Sequence, residues 1–381
     1  LPDILSKPSY PLEIMFDRRL LEHFDWVLLF TVTAISIIGF FSIYSASVSY
    51  GTVTPYFKKQ VLWFYLGLMA MVAMTLVDYR TLGKFSLWVH FGIIVLLVFV
   101  LLYGTGGPGS RVNRWIKVGS FFLQPSEFTK FTLVLYLAHY FRDARRIQDL
   151  GFKDILWPLA VTILPFVLIL KQPDLGTAGI LLFVFTPIIF LAGLRYKVIL
   201  ITGLLGLISL PFGWFFLLKT YQKNRILTLI NPDLDPLGKG YHIIQSKIAI
   251  GSGGLWGKGY MQGTQAHLNF LPARHTDFIF SVFTEEWGFV GAITLVGIYF
   301  FLIMWCLRLV GKTRDRSGTI LTLGVTSILF SHIAINIGMV IGLLPVVGMP
   351  LPFMSYGGSA MISSMIGIGL ILNVRMRRYD I

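Results

Sequence analysis

Apolar runs of roughly 17 to 25 residues recur along this chain, and each is long enough to cross the hydrocarbon core of a bilayer as a helix. They fall at approximately 26–48, 60–77, 85–103, 125–141, 154–170, 174–193, 197–218, 284–307, 318–342 and 355–374. Lipid offers no partner for a bare N–H or C=O, so such segments must satisfy their backbones internally, as helices. The expected fold is all-α: a polytopic integral membrane protein of about ten transmembrane helices, with a long extracytoplasmic loop at 219–283 between the seventh and eighth. Composition decides the same way. Charged residues make up 13% of the 381, about half the share usual in soluble domains, and no stretch has the balance of a separate soluble domain.

Residues 1–14, LPDILSKPSYPLEI, are Pro-rich and precede Met15, itself a natural start; they read as an N-terminal extension, and 15–381 as one transmembrane domain. The first apolar run follows Arg18 and Arg19 and outlasts the roughly 7 to 15 residues of a signal-peptide core, so it is expected to stay as a helix. One cysteine, Cys306, excludes an intrachain disulfide and Cys-based zinc sites, and reads as a packing thiol. The net charge of +14 raises nucleic acid as a partner, yet neither an arginine-rich tail nor an aromatic RNA-binding signature accompanies it. Its distribution fits a membrane. Arg18, Arg19, Arg80, Lys84, Arg142, Arg145, Arg146, Lys153, Arg195, Lys197, Arg308, Lys312, Arg314, Arg316, Arg375, Arg377 and Arg378 fall between runs on one face. By the positive-inside rule that face is cytoplasmic, and an even number of crossings puts both termini there.

The basic residues outside this pattern need another explanation. The loops 104–124, 171–174, 219–283 and 343–354 converge on the outer face, and three helices start there, opened by Gln124-Pro125-Ser126-Glu127, by Asp174 and by Ser355. Helix N-termini attract anions through their unpaired N–H groups and the helix dipole. With Arg111, Arg114, Lys117 and Lys130 near in sequence, the face reads as a site for a phosphate or pyrophosphate carried on a membrane lipid, or else as ordinary caps and a solvated loop. Glu127 and Lys130, three apart, share a helix face. They form either a structural ion pair or a device that steers an anionic leaving group. Asp174 in KQPDLGTAG is first a helix cap, with a sugar or cation contact open to it.

Within TQAHLNFLPARHTDFIFSVFTEEWG, residues 264–288, Asp277 enters an apolar helical run at a water–lipid boundary. A carboxylate there is costly and so a functional candidate; the plainer alternative is that it caps the helix beginning FIFSVF. His275 beside it lacks any metalloprotease spacing and reads as a hydrogen-bonding neighbour. GSGGLWGKG at 251–259 is not a phosphate loop, since Gly257-Lys258 is followed by Gly259; it reads as turns between short interfacial helices such as YHIIQSKIAI. PVVGMPLPFMSYGGSA at 345–360 predicts a shaped re-entrant segment.

RVNRWIKVG followed by QPSEFTK, KQPDLGTA, FLPARHTDFIFSVFTEEWG and VGMPLPFMSYGGSA, in this order, resemble the SEDS family (shape, elongation, division and sporulation) of peptidoglycan polymerases, from about residue 15 to the end and most like its RodA elongation branch. The resemblance implies a glycosyltransferase that extends β-1,4-linked glycan from lipid II outside the bacterial cytoplasmic membrane. It carries the family's essential loop aspartate onto Asp277, its outer tryptophan onto Trp115, its QPSE-K helix onto Glu127 and Lys130, and its PDLG aspartate onto Asp174. Where the family usually has an acidic residue this chain has Ala273, so no carboxylate role is placed there. The implied chemistry is inversion at the donor anomeric carbon, with Asp277 as general base on the acceptor hydroxyl and Arg111, Arg114 and Lys130 on the pyrophosphate, leaving room for Mg²⁺. The chain has no S-x-x-K or K-T-G, so cross-linking must come from another protein; the resemblance suggests a class B penicillin-binding transpeptidase, alongside other elongation-complex membrane proteins. A lipid II flippase, the competing class, would commonly show paired repeats with a midplane site. No convincing internal repeat is visible.

Overall fold

The computed structural model describes residues 22–49, 52–53, 55–106, 113–119, 121–142, 150–217, 220–231 and 238–378. In chain order the elements are α1 (Trp26–Ser47), β1 (Val48–Ser49), β2 (Thr52–Val53), α2 (Tyr56–Leu76), α3 (Tyr79–Tyr103), β3 (Thr105–Gly106), β4 (Asn113–Val118), β5 (Phe121–Leu123), α4 (Pro125–Tyr140), α5 (Phe152–Lys171), α6 (Leu175–Ala192) and α7 (Tyr196–Phe212). After a π-helical turn at Gly213–Leu217 come α8 (Thr220–Ile230), α9 (Lys239–Ser252), the short α10 (Thr264–His267), α11 (Ile279–Lys312), α12 (Arg316–Val340) and α13 (Gly358–Met376). The N-terminal stretch 1–14 lies outside the described residues.

The all-α expectation holds. Among the described residues eight helices are long and apolar enough to cross a membrane: α1, α2, α3, α5, α6, α11, α12 and α13. The other two expected spans correspond to α4, of 16 residues, and α7, of 17, which at 1.5 Å per residue fall short of a full hydrocarbon core. For α4 the reason is visible: most of its side chains are buried inside the bundle, so lipid thickness does not set its length. Helices α12 and α13 are the other central pair, with 72% and 78% of their apolar windows buried against 22% for α2. Close approach of α13 to α2 depends on Gly369, where an added Cβ would sit 2.6 Å from the Met71 carbonyl oxygen.

The structure departs from the sequence-based expectation in two places. The 104–124 loop folds back on itself as an antiparallel β3-β4-β5 sheet, with Ile116 opposite Leu123 and Lys117 opposite Phe122. Its alternating, β-branched NRWIKV segment and the left-handed Gly119 supply the strand and the turn. Within 219–283 the short helices α8, α9 and α10 agree with the expectation of turns between short helices, and α9 covers the amphipathic stretch. Finally, α13 begins at Gly358 with Gly357 as its cap, so Ser355 does not open that helix; its hydroxyl is used inside the preceding segment instead.

The helix directions sort the bundle into two ends. At one lie the start of α1, the end of α11 and the end of α13, joined through Asp25, which accepts from Trp305 Nε1 at 3.1 Å and lies 3.8 Å from Arg375 Nε. The starts of α4, α6, α11 and α13 lie at the other.

Candidate active site

Asp277 sits immediately before α11, partly buried, and the helix cap position falls one residue later, on Phe278. The turn leading to it closes on Ala273, whose carbonyl accepts from Thr276 N at 3.1 Å and Phe278 N at 3.3 Å. Backbone atoms of this turn are then gripped from two directions. Asn336 on α12 donates from Nδ2 to the Asp277 carbonyl at 2.9 Å and to the Met349 carbonyl at 2.6 Å. From the 343–357 segment, Ser355 Oγ donates to the Thr276 carbonyl at 2.6 Å while accepting from Leu351 N at 2.8 Å, and Tyr356 N donates to the His275 carbonyl at 2.8 Å. The carboxylate itself faces Gly348, where a Cβ would stand 3.2 Å from Asp277 Oδ2. His275 stacks on Tyr56 with ring centroids 4.1 Å apart. Burial, and then the neighbouring Arg274 charge, push its imidazole down to about 4, so it is a neutral ring at physiological pH.

A second cluster lies beneath the re-entrant segment. Lys130 Nζ donates to Glu127 Oε2 at 2.8 Å and lies 2.6 Å from His332 Nε2, while Ser363 Oγ donates to the same Glu127 oxygen at 3.4 Å. His332 Nδ1 lies 3.3 Å from the Pro350 carbonyl. A carbonyl only accepts, so Nδ1 carries the proton and Nε2 is left to accept from lysine. Lys130 is 1% exposed. The ammonium is therefore enclosed by its partners and not presented to the outer surface.

The third group joins the hairpin to α6. Arg114 donates from Nε to the Gln172 carbonyl at 2.8 Å and from Nη2 to the Pro173 carbonyl, with Nη1 3.8 Å from Asp174 Oδ2. Asp174 caps α6, accepting from Thr177 N at 3.3 Å, and also accepts from Gln124 Nε2 at 3.3 Å. Trp115 stands edge-on to Phe122 at 6.4 Å. Arg114 keeps 18% of its side chain exposed, which makes it the accessible cation of this group. Arg111 lies outside the described residues. All three groups meet on the 343–357 segment: Gly348 at Asp277, Pro350 at His332, and Met349 against Gly176 of α6, where a Cβ would meet Met349 Sδ at 2.8 Å.

Several residues that build this end stand outside the candidate site residues named from the sequence. Gln60, buried on α2, donates to the Ser355 carbonyl at 3.0 Å and accepts from Gly357 N at 3.2 Å. Glu285 accepts from Lys258 Nζ at 2.6 Å and from Thr264 N at 2.8 Å, and Glu286 accepts from Ser45 Oγ. Gly288, in a left-handed conformation at φ 66°, breaks α11 here, and the 253–259 turns fill the break: Lys258 N and Gly259 N donate to the Glu285 and Glu286 carbonyls, both at 3.0 Å. The signal that could find such residues is a polar or ionisable side chain inside an apolar run, as at Gln60, His332 and Asn336. Among the described residues no three His, Cys, Asp or Glu side chains converge as metal ligands.

The profile of the FtsW/RodA/SpoVE family, described as cell cycle proteins, matches residues 25–380. The peptidoglycan glycosyltransferase MrdB of Escherichia coli K12 is 39% identical over 356 residues, covering 93% of this chain and 94% of that protein. Among solved structures, one described under structural coordination of polymerization and crosslinking by a peptidoglycan synthase complex aligns with a TM-score of 0.79 at 33% identity, covering 94% of this chain and 99% of that one. The rod shape determining protein RodA of Thermus thermophilus aligns with a TM-score of 0.70 at 29% identity, covering 93% and 98%. With a family profile spanning the bundle and relatives matched nearly end to end, this chain belongs to the FtsW/RodA/SpoVE family.

Proposed function

We propose that this protein is a peptidoglycan glycosyltransferase that polymerises lipid II into β-1,4-linked glycan at the outer face of the bacterial cytoplasmic membrane, serving elongation and cell shape. The observation that carries the reading is Asp277: a partly exposed carboxylate on a turn fixed by Asn336, Ser355 and Tyr356, in a family whose named members include peptidoglycan glycosyltransferases. Both chain termini are proposed to be cytoplasmic, from the arginines and lysines gathered at the opposite end of the bundle.

In the proposed step the acceptor 4-hydroxyl oxygen bonds to the donor anomeric carbon, the carbon–oxygen bond to pyrophosphate breaks, and the hydroxyl proton passes to Asp277. Arg114, with 18% of its side chain exposed, is the side chain proposed to meet the departing pyrophosphate, while Trp115 on the same strand offers a face to sugar or lipid. Lys130, Glu127 and Asp174 act by positioning, since each is buried in contacts with its neighbours. His275 and Ser355 act on the turn that carries the base, through the His275 and Thr276 carbonyls. Mg²⁺ is proposed as a counter-ion that would accompany the pyrophosphate and offset its charge.

A class B penicillin-binding transpeptidase is the proposed partner. It would supply the cross-linking nucleophile this chain lacks, in line with the complex named for its structural neighbour. The direct test is conversion of lipid II to glycan polymer by the purified chain in detergent, resolved on a gel. No polymer, with or without the transpeptidase, would overturn the enzymatic reading and leave transport as its replacement.

A further inference from the structure

The end of the bundle remote from Asp277 holds a cavity that the proposed reaction does not use. It has a volume of about 230 Å³ and is lined by Arg80, His139, Arg142, Asp315, Arg316 and Ser317. These residues come from the first turn of α3, from the end of α4 and the turn beyond it, and from the start of α12. The distance from the candidate active site follows from α12 alone. Arg316 and Asn336 lie on one helix, about 30 Å apart at 1.5 Å per residue.

The lining sets three arginines against one aspartate, and that aspartate already has partners. Asp315 caps α12, accepting from Gly318 N at 3.1 Å, and accepts from the Tyr79 hydroxyl at 2.6 Å. Arg80 lies over the Tyr79 ring, 5.4 Å from its centroid, and Arg316 is anchored on the Ala192 carbonyl. The positive-inside rule accounts for arginines at this end. It does not account for their convergence on a concavity from three separate helices. Guanidinium groups present forked donors that match phosphate oxygens, and the first turn of α12 adds the positive end of its dipole. The space admits a phosphate group with a few waters.

We infer that this cavity binds a phosphate-bearing anion, the headgroup of an acidic phospholipid or a free phosphate compound, at the end of the bundle opposite Asp277. Neither the residues of this cavity nor the readout of its occupancy involve glycan synthesis, so anion binding here stands apart from the polymerase reading.

The test uses the full chain purified in detergent. Native mass spectrometry compares retention of phosphatidylglycerol with phosphatidylcholine, and titration calorimetry measures binding of inorganic pyrophosphate. The parent protein is expected to retain phosphatidylglycerol selectively, to bind pyrophosphate, or both, and the pattern identifies the source of the phosphate. R142Q, at an exposed position, should weaken that binding about tenfold, and R80Q/R142Q further, by loss of charge-assisted contacts. R314Q, exposed at the same end but outside the lining, should leave it unchanged. If R80Q/R142Q fails to fold, R142Q alone decides. Anion binding at this cavity is overturned if neither probe binds, if R142Q keeps the parent affinity, or if R314Q loses as much as R142Q.

Discussion

Asp277 and Glu285 stand one before and one within the first stretch of α11, yet the protein treats the two carboxylates in opposite ways. Glu285 is fully buried, and its oxygens collect Lys258 Nζ, Thr264 N, Thr264 Oγ1 and Gln265 N. Around Asp277 the backbone is gripped, Asn336 taking its carbonyl and Ser355 the carbonyl before it, and the residue keeps partial exposure beside Gly348. A carboxylate whose oxygens are saturated by protein donors holds structure. One carried on a clamped turn at a partly exposed position is pre-positioned for chemistry.

That contrast is broken most directly by D277N. Lipid II polymerisation should fall by about 10² to 10⁴-fold, the usual worth of a general base, with thermal unfolding close to the parent. Retained polymer yield would remove the base assignment. E285A should do the reverse, lowering stability by about 2 kcal/mol, allowing for the partial exposure of Lys258, and loosening 253–265 in hydrogen exchange. An unchanged melting temperature would mean the donors around Glu285 find water at no cost. G348A sharpens the comparison at the open side. It places a Cβ 3.2 Å from Asp277 Oδ2 at a residue with φ 74°, so stability should fall by about 1 kcal/mol and the polymerisation rate about tenfold. A rate equal to the parent would show that the carboxylate works from another position.

The smallest effect concerns pH. His275 has a folded-state pKa of about 4, below its ordinary value of 6.5, because burial penalises the imidazolium. Between those values the unfolded chain binds more protons than the folded one, so stability is fully present above pH 6.5 and declines as pH falls towards 4. H275Q should flatten part of that decline. Parallel melting-temperature profiles for H275Q and parent over this range would exclude His275 as a contributor.

Much of the fold was legible because lipid imposes its own grammar: run length gave the helices, and Asp277 and Asp174 were visible as lone acids at helix starts. What hid was long-range pairing. Nothing in the spacing of Lys130 predicts that its ammonium ends on His332, 202 residues away. The break at Gly288 was hidden for a related reason. Glycine is common in membrane helices, and only the 253–259 turns donating into the gap distinguish this one. The hairpin was missed because strands of two to six residues in a polar loop carry little periodicity to read.

The 343–357 segment carries a further consequence, for how the molecule comes into being. It runs through the bundle as irregular backbone with a short turn at Leu351–Ser355, and is stitched to α2 by Gln60, to α12 by Asn336 and His332, and to the Asp277 turn by Ser355 and Tyr356. Bare backbone of this kind is tolerated at membrane depth only when protein surrounds it. The segment also follows the Asp277 turn and α12 in the chain, so it is synthesised after them. A chain halted at residue 342 would carry every earlier helix and the Asp277 carboxylate, yet lack the Met349 carbonyl, Ser355 and Tyr356 that complete the clamp. The turn that carries Asp277 thus gains its full set of backbone contacts only once the segment that follows α12 has been made and seated.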